Sequence, residues 1–216
     1  MTPAAAFFDN DGLTLDTEGA WTRAEQTLFA RYGETFTMDH KRTLLGTSPS
    51  ESAALLERML GRPGPGLSDE LYGLAIEEVG RIAVPMPGAV DLLRALREAG
   101  VPVALVSNAR RSFVEPALQA AGLAGAFPVI VTSDDVQRPK PAPDAYLAAA
   151  AALDADPAAC AVLEDSPTGL AAGRAAGALT IGVPSLPGVV LEADVVAQSL
   201  EDRAVWTALG LEARVT

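Results

Sequence analysis

Short continuous apolar runs alternate with helical spacing over most of this chain. Residues 4–8 form the first run and end directly in acid. Residues 101–106 (VPVALV), 129–131, 160–163 and 179–183 repeat the pattern, and 193–196 repeats it weakly. Between the runs, apolar spacing predicts helices over 89–99, 111–121, 143–153, 167–176 and 200–209, three of them stopped by Gly100, Gly122 and Gly177. Uninterrupted apolar strands separated by helices predict βαβ units, and so a parallel sheet covered on both faces.

One region departs from this rhythm. Between about 17 and 83 no strand pattern occurs, and apolar residues recur at helical spacing: Trp21, Ala24 and Leu28, then Leu55, Leu56, Met59 and Leu60, then Leu71, Leu74, Ala75 and Val79. A Gly/Pro segment at 61–66 (GRPGPG) is expected as a loop between two helices. An all-helical insert directly after the first strand predicts a second, smaller unit. The expected division is 1–15 and 84–216 for the α/β core and 16–83 for the insert, with crossings near 13–16 and 82–88.

Composition narrows the function classes. The 216 residues are 49% hydrophobic and 20% charged, which excludes disordered and fibrous classes. Net charge is 16 − 28 = −12, which disfavours tracking a phosphate backbone and leaves nucleic acid off the list of expected partners. No apolar run approaches the ~20 residues that span a bilayer, and the first residues carry no basic leader, so no membrane partner and a cytoplasmic location are expected. Cys160 has no partner cysteine, consistent with a reducing compartment. One cysteine and one histidine cannot build a zinc site of the Cys/His kind. His40 lies in a polar run with no nucleophile elbow anywhere in the chain, and is expected at the surface. Only two lysines, Lys41 and Lys140, stand against fourteen arginines (16 − 2), so a lysine inside a motif draws notice.

Ligands of open α/β sheets bind at the carboxyl ends of the strands. The first strand is followed by Asp9-Asn10-Asp11-Gly12, the second by Ser107-Asn108, the third by Arg138-Pro139-Lys140-Pro141 and the fourth by Glu164-Asp165-Ser166. Each is ordinary alone: a turn, a helix N-cap, a solvated charge, another cap. In this order they bring carboxylates, a lysine and hydroxyls to one sheet edge. Carboxylates from two strands make a hard oxygen site suited to Mg²⁺. A lysine and a hydroxyl beside it suit the remaining oxygens of a phosphoryl group, which points to phosphoryl transfer onto a carboxylate.

FFDNDG, VSN, RPKPAPD and VLEDSPTGLAAGRAAG, with Leu15-Asp16-Thr17-Glu18 and Pro87-Gly88, resemble the haloacid dehalogenase superfamily nearly end to end, in the group with a helical cap after the first motif. The resemblance implies a Rossmann-like parallel-sheet core with helices on both faces and an inserted all-helical cap domain. It implies a phosphatase acting on small phosphorylated metabolites, such as sugar phosphates, with Mg²⁺. In it Asp9 is the nucleophile and Asp11 the acid and base. Asp9, the Asp11 backbone carbonyl and Asp165 hold the metal, with Glu164 a ligand or one layer behind. Ser107, Asn108 and Lys140 bind the phosphoryl group. Glu18, Trp21, Gly46, Thr47 and Ser48 would contact the substrate from the cap, and a monomer is expected because the cap already covers the site.

The nearest rival is a phosphosugar mutase of the β-phosphoglucomutase type. Such mutases carry an arginine in the loop resembling 46–49 and a histidine in the first cap helix, where this chain has Pro49 and Trp21. A metal-free dehalogenase lacks the second aspartate, here Asp11. A receiver-type phospho-aspartate domain carries its aspartate on a later strand and has no insert.

Overall fold

The computed structural model describes residues 2–186 and 188–212, without the side chains of 64 and 65. Six strands form one parallel sheet: β1 (Ala6–Phe8), β4 (Val103–Val106), β5 (Val129–Val131), β6 (Ala161–Glu164), β7 (Leu179–Gly182) and β8 (Val195–Val196). Their order across the sheet is β5-β4-β1-β6-β7-β8, so the chain winds outward from β1 in both directions. Helices α5 (Ala89–Glu98), α6 (Arg111–Ala120), α7 (Asp144–Ala152) and α8 (Pro167–Ala175) lie between successive strands, and α9 (Arg203–Ala208) follows β8.

The strands read as unbroken apolar runs because both sheet faces are covered. Ala6 and Phe8 enter one hydrophobic cluster with Leu105, Leu163, Leu92 and Phe113. Ala5 and Phe7 enter the other with Ala104, Val106, Val162 and Tyr146. Alternate residues of β1 therefore anchor opposite cores, and the loop leaving β1 is fixed from both sides.

Four further helices lie between β1 and α5: α1 (Glu18–Arg31), α2 (Met38–Leu44), α3 (Pro49–Leu60) and α4 (Gly64–Ile82). Their apolar stripes bury Ala24, Leu28, Leu56, Leu71, Ala75 and Val79 in the same cluster that holds Phe8 and Leu105. Two details differ from the sequence pattern. The GRPGPG segment is loop only in its first half: Gly61 ends α3 in the left-handed conformation and α4 already starts at Gly64. A proline in the first helical turn loses no bond, because the N–H groups there have no intrahelical acceptor. The two crossings also pair with each other, as the antiparallel ribbon β2 (Leu15–Asp16) and β3 (Val84–Pro85). His40 is not a bare surface residue. It completes the capping box of α2 by accepting the Thr37 N–H, and its ring lies 5.0 Å from that of Phe29.

Candidate active site

The carboxyl edge of the sheet gathers the charged residues. Asp9 leaves the end of β1 with its backbone N–H bonded to Leu163 O, which ties it to β6. Thr14 Oγ1 donates to the Asp9 carbonyl at 2.5 Å and closes the turn. Gly12 sits at φ +79°, and a Cβ there would collide with the Asp165 carboxylate and Ser185, so the turn requires glycine.

Lys140 is 2% exposed and spends all three donors on the site. Its Nζ donates to Asp9 Oδ1 at 2.7 Å, Glu164 Oε1 at 2.6 Å and the Val106 carbonyl at 2.7 Å. Burial opposes its charge, but Asp9 and Glu164 outweigh burial and hold the ammonium above its ordinary pKa. The backbone that carries Lys140 is clamped by Asn108, whose Oδ1 accepts the Lys140 N–H at 2.9 Å and whose Nδ2 donates to the Lys140 carbonyl at 3.0 Å.

Glu164 is fully buried and fully used. Oε1 accepts from Lys140 and, at 2.6 Å, from Tyr146 Oη, while Oε2 accepts from Ser166 Oγ at 3.0 Å. Gly169 passes so close that a Cβ there would overlap this carboxylate. Ser166 also accepts the Gly169 N–H and caps α8. The expected N-cap at Ser107-Asn108 is not formed. Arg110 occupies that position for α6, and Asp134 accepts the Arg111 N–H instead, because the chain makes one further turn after β4. Ser107 Oγ instead accepts from the Ala109 N–H at 3.0 Å.

Asp9, Glu164 and Asp165 each offer a carboxylate oxygen within 4.8 Å of the others, and all three are buried. Burial first, then the Glu164 charge, pushes the Asp9 carboxyl well above the usual carboxylate range, with Lys140 pulling part of the way back. Burial, Asp9 and Glu164 do the same to Asp165, whose Oδ2 accepts from Ser185 Oγ at 2.5 Å. Three crowded hard oxygens facing one lysine are short of positive charge. The donor set fits a divalent cation.

The inserted helices supply the other wall of the cavity. Asp11 Oδ1 accepts from Thr17 Oγ1 at 2.6 Å and from Trp21 Nε1 at 3.0 Å, and Oδ2 receives Ser107 Oγ at 3.4 Å. Glu18, Trp21 and Glu25 fall on one face of α1 and line the cavity with Asp9, Asp11 and Asp165. The Trp21 ring packs 4.5 Å from Phe113 of α6, so it is both packing and wall. Gly46 and Thr47 also line it, and the Gly46 carbonyl accepts from Asn108 Nδ2 at 3.1 Å. Ser48 does not line the cavity; it caps α3 with Glu51.

Several participants carried no signal in the sequence motifs: Thr14, Tyr146 and Ser185, and the pair Glu25–Lys41; Thr17 lay inside a quoted motif but was given no role. Lys41 Nζ lies 2.8 Å from Glu18 Oε2 and 3.1 Å from Glu25 Oε2. The scarcity of lysine was the one available pointer to it.

Validoxylamine A 7'-phosphate phosphatase of Streptomyces hygroscopicus subsp. limoneus is 31% identical over 95% of this chain and 97% of its own. The bifunctional riboflavin kinase/FMN phosphatase of Arabidopsis thaliana is 36% identical over 92% of this chain, which spans only 54% of that longer protein. Among solved structures, a HAD family hydrolase from Deinococcus radiodurans R1, crystallised with phosphate and sodium, superposes with a TM-score of 0.75 at 32% identity over 98% of both chains. The family model for haloacid dehalogenase-like hydrolases matches residues 3–177, and the chain belongs to that family.

Proposed function

We propose that this chain is a Mg²⁺-dependent phosphatase that hydrolyses small phosphomonoesters through an aspartyl-phosphate on Asp9. The observation that carries the reading is the Asp9 carboxylate, held by Lys140 at 2.7 Å within a cluster that Glu164 and Asp165 complete. The relatives named for phosphatase activity and the phosphate in the Deinococcus radiodurans structure support it.

In this reading Asp9 attacks phosphorus and Lys140 neutralises the repulsion between carboxylate and phosphate dianion. Ser107 and the Asn108 backbone hold phosphoryl oxygens. Asp11 moves the proton. Its Oδ1 already accepts two hydrogen bonds, so Oδ2 gives the proton to the leaving alkoxide and later takes one from the attacking water. Mg²⁺, held by Asp9, Asp165 and the Asp11 carbonyl, would screen the charge on the transferring group. Glu164, with both oxygens engaged, acts behind the metal by holding Lys140 in place.

Residues 16–83 serve as a cap over a core of 1–15 and 84–216, turning on the short β2–β3 ribbon. The enzyme works as a monomer in the cytoplasm, with no nucleic-acid or membrane partner. A net charge of −12 and one buried, unpaired cysteine support that. Among the described residues no helix is long and apolar enough to cross a membrane.

The test is release of inorganic phosphate from p-nitrophenyl phosphate and a panel of sugar, polyol and nucleoside monophosphates, with Mg²⁺ and with a chelator. Metal-dependent release is expected, with no bisphosphate activator. Absence of release in Mg²⁺ overturns the reading. So does interconversion of β-glucose 1-phosphate and glucose 6-phosphate faster than phosphate release.

A further inference from the structure

Both lysines of this chain are buried against the same cavity, Lys140 at 2% exposure and Lys41 at 4%. Lys140 belongs to Asp9 and Glu164. Lys41 reaches from α2 across to α1, where Glu18 and Glu25 stand two helical turns apart on one face. Its Nζ meets Glu18 Oε2 at 2.8 Å and Glu25 Oε2 at 3.1 Å. One ammonium is therefore bound by two carboxylates. Glu18 Oε2 is a buried oxygen with no aligned hydrogen-bond donor among the described residues. No arginine lines this cavity among those residues.

This arrangement constrains whatever is attached to the phosphate. A leaving group that enters past Asp11 meets Glu18, Trp21 and the Lys41 pair. A second phosphate or a carboxylate on that group would meet carboxylates and no uncommitted cation. A hydroxyl would find an acceptor in Glu18 and a donor in Lys41. We infer that Glu18, Lys41 and Glu25 form a charge clamp that selects neutral, hydroxyl-bearing leaving groups and turns away substrates with a second anionic group. The inference rests on the phosphatase reading of the site. Lys41 is a cation held in reserve: it cannot serve an anionic substrate while Glu25 occupies it.

The experiment compares two compounds with one skeleton, glycerol 3-phosphate and 3-phosphoglycerate, in which a carboxylate replaces the terminal CH₂OH. Each is run as a competitor of p-nitrophenyl phosphate, so binding without turnover also counts. The wild-type enzyme should favour glycerol 3-phosphate by about tenfold or more, since like charges brought together unpaired are strongly disfavoured. Glu25→Gln leaves Lys41 with one carboxylate instead of two and should shrink that preference by about tenfold, through a gain for 3-phosphoglycerate. Lys41→Met leaves two carboxylates unopposed and should widen it. Circular dichroism and the urea midpoint report that each variant has folded. If p-nitrophenyl phosphate is not hydrolysed by the wild type, the phosphatase reading fails. If it is hydrolysed, but the wild type favours 3-phosphoglycerate or the two variants shift the preference in the same direction, the charge clamp is wrong and the phosphatase reading stands.

Discussion

Replacing Lys140 with methionine isolates charge from volume. Methionine is also unbranched and fills most of the same buried space, ending one atom short of the ammonium, so little cavity is created. What disappears is one ammonium and three hydrogen bonds, to Asp9, Glu164 and the Val106 carbonyl. Removing one partner of a buried ion pair costs about 3–5 kcal/mol, because the other charge is left uncompensated. Here one lysine serves two carboxylates, which argues for the upper end. Asp9 already holds its proton more tightly than usual and can neutralise itself, which argues for the lower end. About 4 kcal/mol is therefore expected for the metal-free protein, within the 5–15 kcal/mol that domains generally possess, so the variant should still fold. Addition of Mg²⁺ should recover part of the loss by supplying positive charge to the same oxygens. Turnover should fall by about 10²-fold or more, as when a preorganised charge-stabilising donor is lost. Urea denaturation with and without Mg²⁺ measures the first effect and kcat/KM the second. A variant within about 1 kcal/mol of wild type, with kcat/KM within about threefold, would refute the assignment of Lys140 as the charge holding this site together.

Asn10 is fully buried with both side-chain polar atoms unpartnered among the described residues, so Asn10→Leu should raise stability by about 1–3 kcal/mol without loss of turnover, read from the urea midpoint. Gly169→Ala drives a methyl group into the Glu164 carboxylate and should cost about 1–3 kcal/mol while lowering kcat, because Glu164 positions Lys140. Burial raises the Glu25 carboxyl to about 7 against an unfolded value of 4.5. Its contribution to stability is full below pH 4.5 and is lost as pH rises through 7. Denaturation curves across that window should lose a component on the order of 3 kcal/mol in the wild type, and Glu25→Gln should flatten it.

The sheet was legible because strands such as Val103–Val106 and Ala161–Glu164 are covered on both faces and so show as unbroken apolar runs, at 101–106 and 160–163. The β2–β3 ribbon was not, since two residues per strand carry no periodicity and their pairing closes only after four helices have folded between them. Asp9, Lys140 and Asp165 could be placed at one edge because each follows a strand end. Tyr146 could not. Whether a tyrosine in the first turn of α7 reaches Glu164 depends on how that helix docks on the sheet, which sequence spacing does not encode. The Glu18–Lys41–Glu25 cluster joins two helices in the same way, through docking rather than spacing. The expected N-cap at Ser107 failed because local propensity gave way to the turn that aims this hydroxyl toward Asp11.

Every proposed step passes through covalent transfer to Asp9, and acid-quenching the enzyme during turnover tests that transfer most directly. Wild-type protein is mixed with p-nitrophenyl phosphate and Mg²⁺, quenched, digested and analysed by mass spectrometry, alongside Asp9→Asn. A phosphoryl adduct confined to Asp9 is expected in the wild type, and neither adduct nor turnover above background in the variant. Turnover that persists in a clean Asp9→Asn preparation, or an adduct on any other residue, would contradict it.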